Sequence, residues 1–255
     1  MPVPLRALLD RLFDDAGLFP PARLPMAEAL RAHDAATTGP HRRMVACFVC
    51  PAGRLPELDA LVTAGLPRPA ALAVAGHDGP GAWRGVYAAP GLVQVEAPHG
   101  VRVPPPPGRV LRYVEVAPHL PLAPSLDAIQ SAGARVAVRC DGLIRDTVPS
   151  CDWLAGVLAG AADRRLVVKA GGLDHPFREV APDRVHHGFV NLLAAAAAAR
   201  AWRPPAEVSD LLAAAEGRYA ELATYLSGPS RELLASVGTS SIAAAAGALD
   251  ARGLL

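Results

Sequence analysis

A chain of 255 residues, 51% hydrophobic and 19% charged, is long enough for one large core and short for two complete domains. Its 25 basic and 24 acidic residues leave a formal charge of +1, which gives no electrostatic reason to bind nucleic acid or an anionic membrane and directs attention to small molecules. No apolar run reaches the roughly 18 residues of a membrane span, and the start, Met1 to Arg6, lacks the basic-then-apolar order of a secretion signal, so a cytoplasmic location is expected.

Taken in chain order, two short helical patterns come first, Leu5–Phe13 and Pro25–His33, joined by Asp14 to Pro21, and together they read as an N-terminal helical extension over residues 1–40. Valine-rich apolar runs then recur, bounded by glycine or proline, as buried parallel strands do. The first is Met44–Val49, followed by a helix over Arg54–Thr63. Next come Ala70–Ala75, Leu92–Ala97 and Val110–Val116, between which only Gly79–Gly91 and the proline run Pro104–Pro107 intervene, neither resembling a full helix. A helix over Ser125–Ala132 precedes the strand Ala134–Arg139, and a helix over Ser150–Ala162 precedes Leu166–Lys169. The run His187–Asn191 reads as the seventh strand, with helices over Leu192–Ala201 and Glu207–Tyr225 after it. Leu233–Val237 is the eighth, closed by a helix over Ile242–Ala251.

Eight strands alternating with helices, and no nucleotide-type glycine fingerprint after the first, predict an α/β fold of (β/α)8 barrel type, irregular around strands two to four. We expect a single domain over residues 1–255, with the barrel in 41–255.

The four cysteines, Cys47, Cys50, Cys140 and Cys151, are too few for a disulfide framework. Cys47 and Cys50 form C-x-x-C inside a predicted strand, which sends them to opposite faces and favours packing over redox or zinc chemistry. The bases are more informative: Lys169 is the one lysine, against 24 arginines. High alanine, proline and arginine suggest a GC-rich genome, in which lysine drifts to arginine wherever only charge matters. A retained lysine marks a place for an amine, because arginine cannot lose its proton and a buried lysine can.

In such a barrel the active site lies at the C-terminal strand ends. Those ends carry His77 and Asp78, Glu96 and His99, Glu115, Arg139, Lys169, then His186, His187 and Asn191, and finally Gly238-Thr239-Ser240-Ser241. Period-two geometry points Lys169 with Val167 to one face, into the mouth. Gly171 and Gly172 after it supply a turn without bulk. An apolar, crowded setting gives Lys169 reason to be partly neutral and able to attack a carbonyl; a salt bridge to Glu115 or Asp141 is the structural alternative. Arg139 suits a substrate carboxylate or phosphate. His175, in the loop after Lys169, and His187 are acid–base candidates, as is Glu115. Asn191 shares parity with His187. Gly238, Thr239 and Ser240 form a turn able to cradle an anion, with a helix N-cap by Ser240 or Ser241 as the structural alternative. His77, Asp78, Glu96, His99, Glu115 and His119 gather carboxylates and imidazoles without any tight metal-ligand motif, so no metal or other cofactor is expected.

These segments resemble a family of uncharacterised bacterial TIM-barrel-like proteins. The matching stretches are Asp15 to Ala22, Arg139 with Gly142, Lys169 to Arg178, His187 to Asn191, Gly238 to Ser241, and Leu249 to Leu255. Arg178, the last residue of the lysine segment, joins the substrate-binding candidates on this basis. The chain departs from the family at Asp174, where a second histidine is frequent, and at Asp141-Gly142, where two glycines are. A shorter likeness links Val168-Lys169-Ala170-Gly171-Gly172 to deoxyribose-phosphate aldolase, whose reactive lysines lie at strand ends in comparable lysine-plus-glycine segments.

The leading expectation is a class I aldolase-like lyase, with a Schiff-base lysine acting on a small carbonyl substrate that carries an anionic group. A divalent-metal isomerase or hydrolase using Glu96, His99 and Glu115 is the second reading, and a non-catalytic binding or scaffold protein the third.

Overall fold

A computed structural model describes residues 5–76, 83–98, 100–101, 108–142 and 148–255. Eight parallel strands close into a barrel. They are β1 (Phe13–Asp15), β2 (Val45–Pro51), β3 (Leu72–Ala75), β4 (Leu92–Ala97), β5 (Leu111–Val116), β6 (Arg135–Arg139), β7 (Val168–Gly171) and β10 (Leu234–Thr239), with an antiparallel pair, β8 (Glu179–Val180) and β9 (Val185–His186), in the loop after β7. β1 pairs with β2 on one side and with β10 on the other, and so completes the ring.

This revises the N-terminal extension. Its two helices are present as α1 (Leu5–Leu8) and α2 (Met26–Thr38), but Phe13–Asp15 between them is a barrel strand. The strand is three residues long and two of them are acids, so it carries no hydrophobic run for a sequence pattern to detect.

The second revision concerns His187–Asn191. Gly188 is the N-cap of α7 (Phe189–Arg200), of which every residue but Arg200 is buried. A helix apolar on all sides produces the same continuous run as a buried strand, which periodicity cannot separate. Gly188 fits this corner because an added Cβ would lie 2.5 Å from the Phe177 backbone. The helix expected over Glu207–Tyr225 is broken into α8 (Pro205–Ala213) and α9 (Tyr219–Tyr225), since Ala214 adopts extended backbone.

The remaining helices lie between or beside the strands. α3 is Leu55–Thr63, α5 Leu122–Ser131, α6 Cys151–Asp163, α10 Gly228–Leu233 and α11 Ile242–Asp250. Ser150 caps α6 by accepting from the Trp153 amide at 3.1 Å, and Ser241 caps α11 from Ala244 at 3.2 Å, each satisfying an otherwise orphaned donor. The expected irregularity lies where the sequence put it. Among the described residues, the five-residue α4 (Trp83–Tyr87) is the one helix between β3 and β4, and no helix separates β4 from β5.

Val136, Val138, Val168, Ala170 and Val237 point outward into one large core under the helices. Cys50 joins a second core with Leu58 and Met26, whereas Cys47 faces the barrel interior with Val49 and Ala73, so the two cysteines do part to opposite faces. No helix among the described residues is long and apolar enough to cross a membrane.

Asn191 ties this side of the barrel together. Fully buried, it donates from Nδ2 to the carbonyls of Leu211 and Ala214 at 2.8 Å each and accepts from the Arg178 amide at 3.0 Å. Asn191→Ala removes three hydrogen bonds to the backbone and leaves the buried Ala214 carbonyl without its side-chain donor; it is expected to lower stability by about 2–3 kcal/mol, read as a reduced urea midpoint at unchanged slope.

Candidate active site

The interior of the barrel is polar where such barrels are ordinarily filled by layers of branched apolar side chains. Small residues make the room: Ala73 on β3 and Ala137 on β6 lie beside Gln94 and Lys169 respectively in the strand register. Into this space project Asp14 from β1, Cys47 from β2, Gln94 from β4, Tyr113 from β5, Lys169 from β7 and Ser236 from β10, all buried.

Asp14 is the hub. Its Oδ2 lies 2.8 Å from Lys169 Nζ, and accepts from Ser236 Oγ at 2.6 Å and Gln94 Nε2 at 3.2 Å. Its Oδ1 accepts from Cys47 Sγ at 2.8 Å. Lys169 also pairs with Glu96, and its ammonium stands 5.9 Å from the centre of the Tyr113 ring, within cation–π range. Between its two carboxylates the lysine side chain is 4% exposed.

Burial alone would push the Lys169 amine down, but the charges of Asp14 and Glu96 outweigh it and hold the pKa above the ordinary lysine range. Burial would likewise raise Asp14, yet the lysine charge and the donors Cys47 and Ser236 bring it below the usual carboxylate range. Burial followed by the Asp14 charge drives the Cys47 thiol far up, so it remains protonated and acts as a donor. The resting lysine is thus an ammonium, not the partly neutral amine expected from its apolar setting, and its partners are Asp14 and Glu96 in place of Glu115 or Asp141.

Above the lysine opens a cavity of about 400 Å³ at the C-terminal ends of the strands, a size suited to a small ligand. Of the residues singled out from sequence, Lys169, Glu115, Arg139, Gly171, Gly172, Gly238 and Ser240 line it, together with Glu96 and Asp141. Gly172, at φ 77°, turns the chain where a Cβ would strike the Asp141 side chain at 2.4 Å.

Other candidates lie elsewhere. His187 is 2% exposed and donates from Nε2 to the Pro149 carbonyl at 2.8 Å, which leaves Nδ1 unpartnered; burial lowers its pKa. Asn191 holds helix ends, as described. Arg178 lies against Cys151 at the start of α6, outside the cavity lining. His175 stacks on His186, ring centres 4.4 Å apart, with Nδ1 3.2 Å from Glu179, in an outer cavity. Thr239 is fully buried and donates from Oγ1 to Asp174 at 2.8 Å, and Asp174 also accepts from the Ser240 amide at 2.6 Å and Ser240 Oγ at 2.9 Å. The turn does cradle an anion, and that anion is the protein's own Asp174.

His77, Asp78 and His99 lie outside the described residues, as does the run Pro104–Pro107. Among the described residues no group of three or more His, Cys, Asp or Glu side chains is arranged to hold a metal ion. Asp14, Cys47, Gln94 and Ser236 were not anticipated. Two adjacent acids in an otherwise apolar segment, Leu12 to Phe19, were the available signal for Asp14.

No family model matches the chain, and no curated protein sequence does. Two solved structures of dihydropteroate synthase from Xanthomonas albilineans resemble it in fold. One, in complex with 7,8-dihydropteroate, is 15% identical, with 96% of this chain and 92% of that chain covered at a TM-score of 0.44. The other, in complex with indole-2-carboxylic acid and 6-chloroguanine, is 15% identical, with 96% and 93% covered at a TM-score of 0.41. The barrel itself is established by the pairing of its eight strands.

The ion pair sets the pH dependence of stability. Asp14, with its folded pKa lowered, contributes stability that is present above its unfolded pKa of about 3.9 and is lost as pH falls through the folded value. Lys169, raised, contributes stability that is present below its unfolded pKa of about 10.4 and is lost only as pH climbs through the folded value. Thermal melts are expected to give a flat Tm between about pH 7 and 9 and a decline below about pH 6.5, where the unfolded chain protonates His187 and His186, whose folded pKa values are lowered. Lys169→Met leaves two interior carboxylates without their cation, costing about 3–5 kcal/mol at neutral pH, and its Tm should now fall as pH rises, because the protonated acids are the tolerated form.

Proposed function

We propose that this protein is a lyase of class I aldolase type, in which Lys169 forms a Schiff base with a small carbonyl compound. The observation that carries the reading is the placement of Lys169 at the floor of an open cavity between two carboxylates, only one of which, Glu96, also lines that cavity.

In this reading the two acids have different tasks. Asp14 is saturated by donors and keeps the charge of the resting site. Glu96 takes a proton from the Lys169 ammonium when a substrate carbonyl displaces water from the cavity. The freed amine adds to the carbonyl carbon and gives a carbinolamine. Glu96, now a carboxylic acid, returns its proton to the departing hydroxyl, and water and an iminium result. Glu115, on the same wall, removes the proton of a β-hydroxyl; the C–C bond breaks, its electrons enter the iminium, and an enamine remains. Protonation of the enamine and hydrolysis of the imine restore the lysine. Arg139 at the rim holds an anionic group of the substrate.

Borohydride reduction in the presence of aldehydes and keto acids, followed by intact mass and peptide mapping, tests the reading. A reduced adduct at Lys169 is expected, absent from Lys169→Arg. Glu96→Gln should form the adduct about 10²–10⁴-fold more slowly, the usual range for loss of a positioned acid–base group. No adduct across a broad carbonyl panel would sink the proposal.

A further inference from the structure

Beside the inner cavity lies a second, of about 980 Å³. Arg139, Asp141 and Gly172 line both, so these residues form the passage between the two spaces. We propose that Arg139 and Asp141 together bind an α-amino acid head group, carboxylate on the arginine and ammonium on the aspartate, and that the carbonyl compound taken by Lys169 carries this zwitterion at its far end. The head-group site stands on the two side chains alone; its link to Lys169 rests on the Schiff-base reading above.

The backbone turns both groups to one side. Cys140 between them is 1% exposed and packs outward into the core under the helices. Its amide donates to the Gly171 carbonyl at 2.8 Å, which carries the β6–β7 ladder one residue past Arg139. With Cys140 outward, period-two alternation sends Arg139 and Asp141 to the cavity side, their Cα atoms about 6–7 Å apart. That spacing lets the two side chains converge on the two charges of a single α-carbon. Asp141 is held by its fit over Gly172, where an added Cβ would strike its side chain at 2.4 Å. Gly172 lies three residues beyond Lys169, about 10 Å along the chain, so the head group sits at the end of a ligand remote from its carbonyl.

Neither group is committed within the protein. Among the described residues Arg139 and Asp141 make no ion pair or side-chain hydrogen bond, with each other or with a neighbour, whereas Asp174, Glu179 and Asp183 nearby are all engaged. Charge then selects the ligand. In the inner lining Glu96, Glu115 and Asp141 stand against Arg139 and Lys169, and in the outer Asp141, Asp174, Glu179 and Asp183 stand against Arg23, Arg139 and Arg184. Acids outnumber bases by one in each, so a purely anionic ligand finds no surplus counter-charge. A purely cationic one leaves the Arg139 fork without an acceptor. A zwitterion meets an opposite charge at each end: the fork matches two coplanar carboxylate oxygens, and the Asp141 carboxylate accepts from the ammonium.

Calorimetric titration of the full-length protein with racemic norvaline, pentanoate and butylamine, which share a carbon chain and differ at the head, tests the site directly. Norvaline is expected to bind saturably and about tenfold or more tighter than either of the others. In Asp141→Asn its advantage over pentanoate should vanish while that over butylamine persists, and in Arg139→Gln the reverse. The preference each variant retains also shows that its site is folded. Absence of saturable norvaline binding, equal binding of the three, or preferences that do not divide between the two substitutions in this way would each overturn the assignment.

The link to Lys169 is read by borohydride trapping of 2-amino-4-oxopentanoate against 4-oxopentanoate, which lacks the amine, and 4-aminobutan-2-one, which lacks the carboxylate. At limiting concentration the zwitterion should be trapped at Lys169 about tenfold or more faster than either. Equal trapping of the three overturns the link. Trapping of none overturns it together with the Schiff base, while the norvaline titration still decides the head-group site.

Discussion

The structure is organised around one ammonium held inside the barrel between two carboxylates. A lone buried cation is costly to desolvate, and a lone buried carboxylate equally so; together with enough hydrogen bonds they are tolerated. That constraint explains why Asp14 collects donors from four strands. Cys47, Gln94, Lys169 and Ser236 come from β2, β4, β7 and β10, and each satisfies a lone pair that water would otherwise have to fill. It also explains the alanines facing the interior, since a polar network of this size needs the volume that branched side chains occupy in other barrels.

The same economy recurs at the mouth. Asp174 fills the turn after β10, so the hydroxyls and amide there serve to fix two loops together and are not open to a ligand. Asn191 fills the corner between α7 and α8 in a comparable way. Glu115 and Arg139 face the cavity, together with the lysine and the one of its two carboxylates, Glu96, that lies on the cavity side.

Sequence reading found most of the barrel because its outward faces are apolar and valine-rich, and those faces supply the pattern. It failed where that physics is absent or shared by another element. β1 is short and acidic, so nothing marked it as a strand. The start of α7 is apolar on every side and looked like a strand, which drew His187 and Asn191 into the site and led away from the helix-end role Asn191 has. Lys169 stood out through composition, but the sequence ended its strand at the lysine, whereas β7 runs on to Gly171 and holds Lys169 inside the barrel at the floor of the cavity. Its charge state was not legible, because the partner that decides it lies on the strand the pattern could not see.

The closure of the ring gives the lysine a dependence on the whole chain. Asp14 and Ser236, bonded side by side, are 222 positions apart in sequence, and the strand that carries Asp14 is held on one flank by the strand that carries Ser236. A ribosome delivers the acid first and the serine almost last. Until β10 arrives, β1 has an open flank and the lysine an incomplete counter-charge, so barrel closure and assembly of the electrostatic site are one late, long-range event in folding. A chain made only as far as β7 therefore holds both members of the ion pair, but neither Ser236 nor the closed ring that fixes their charge.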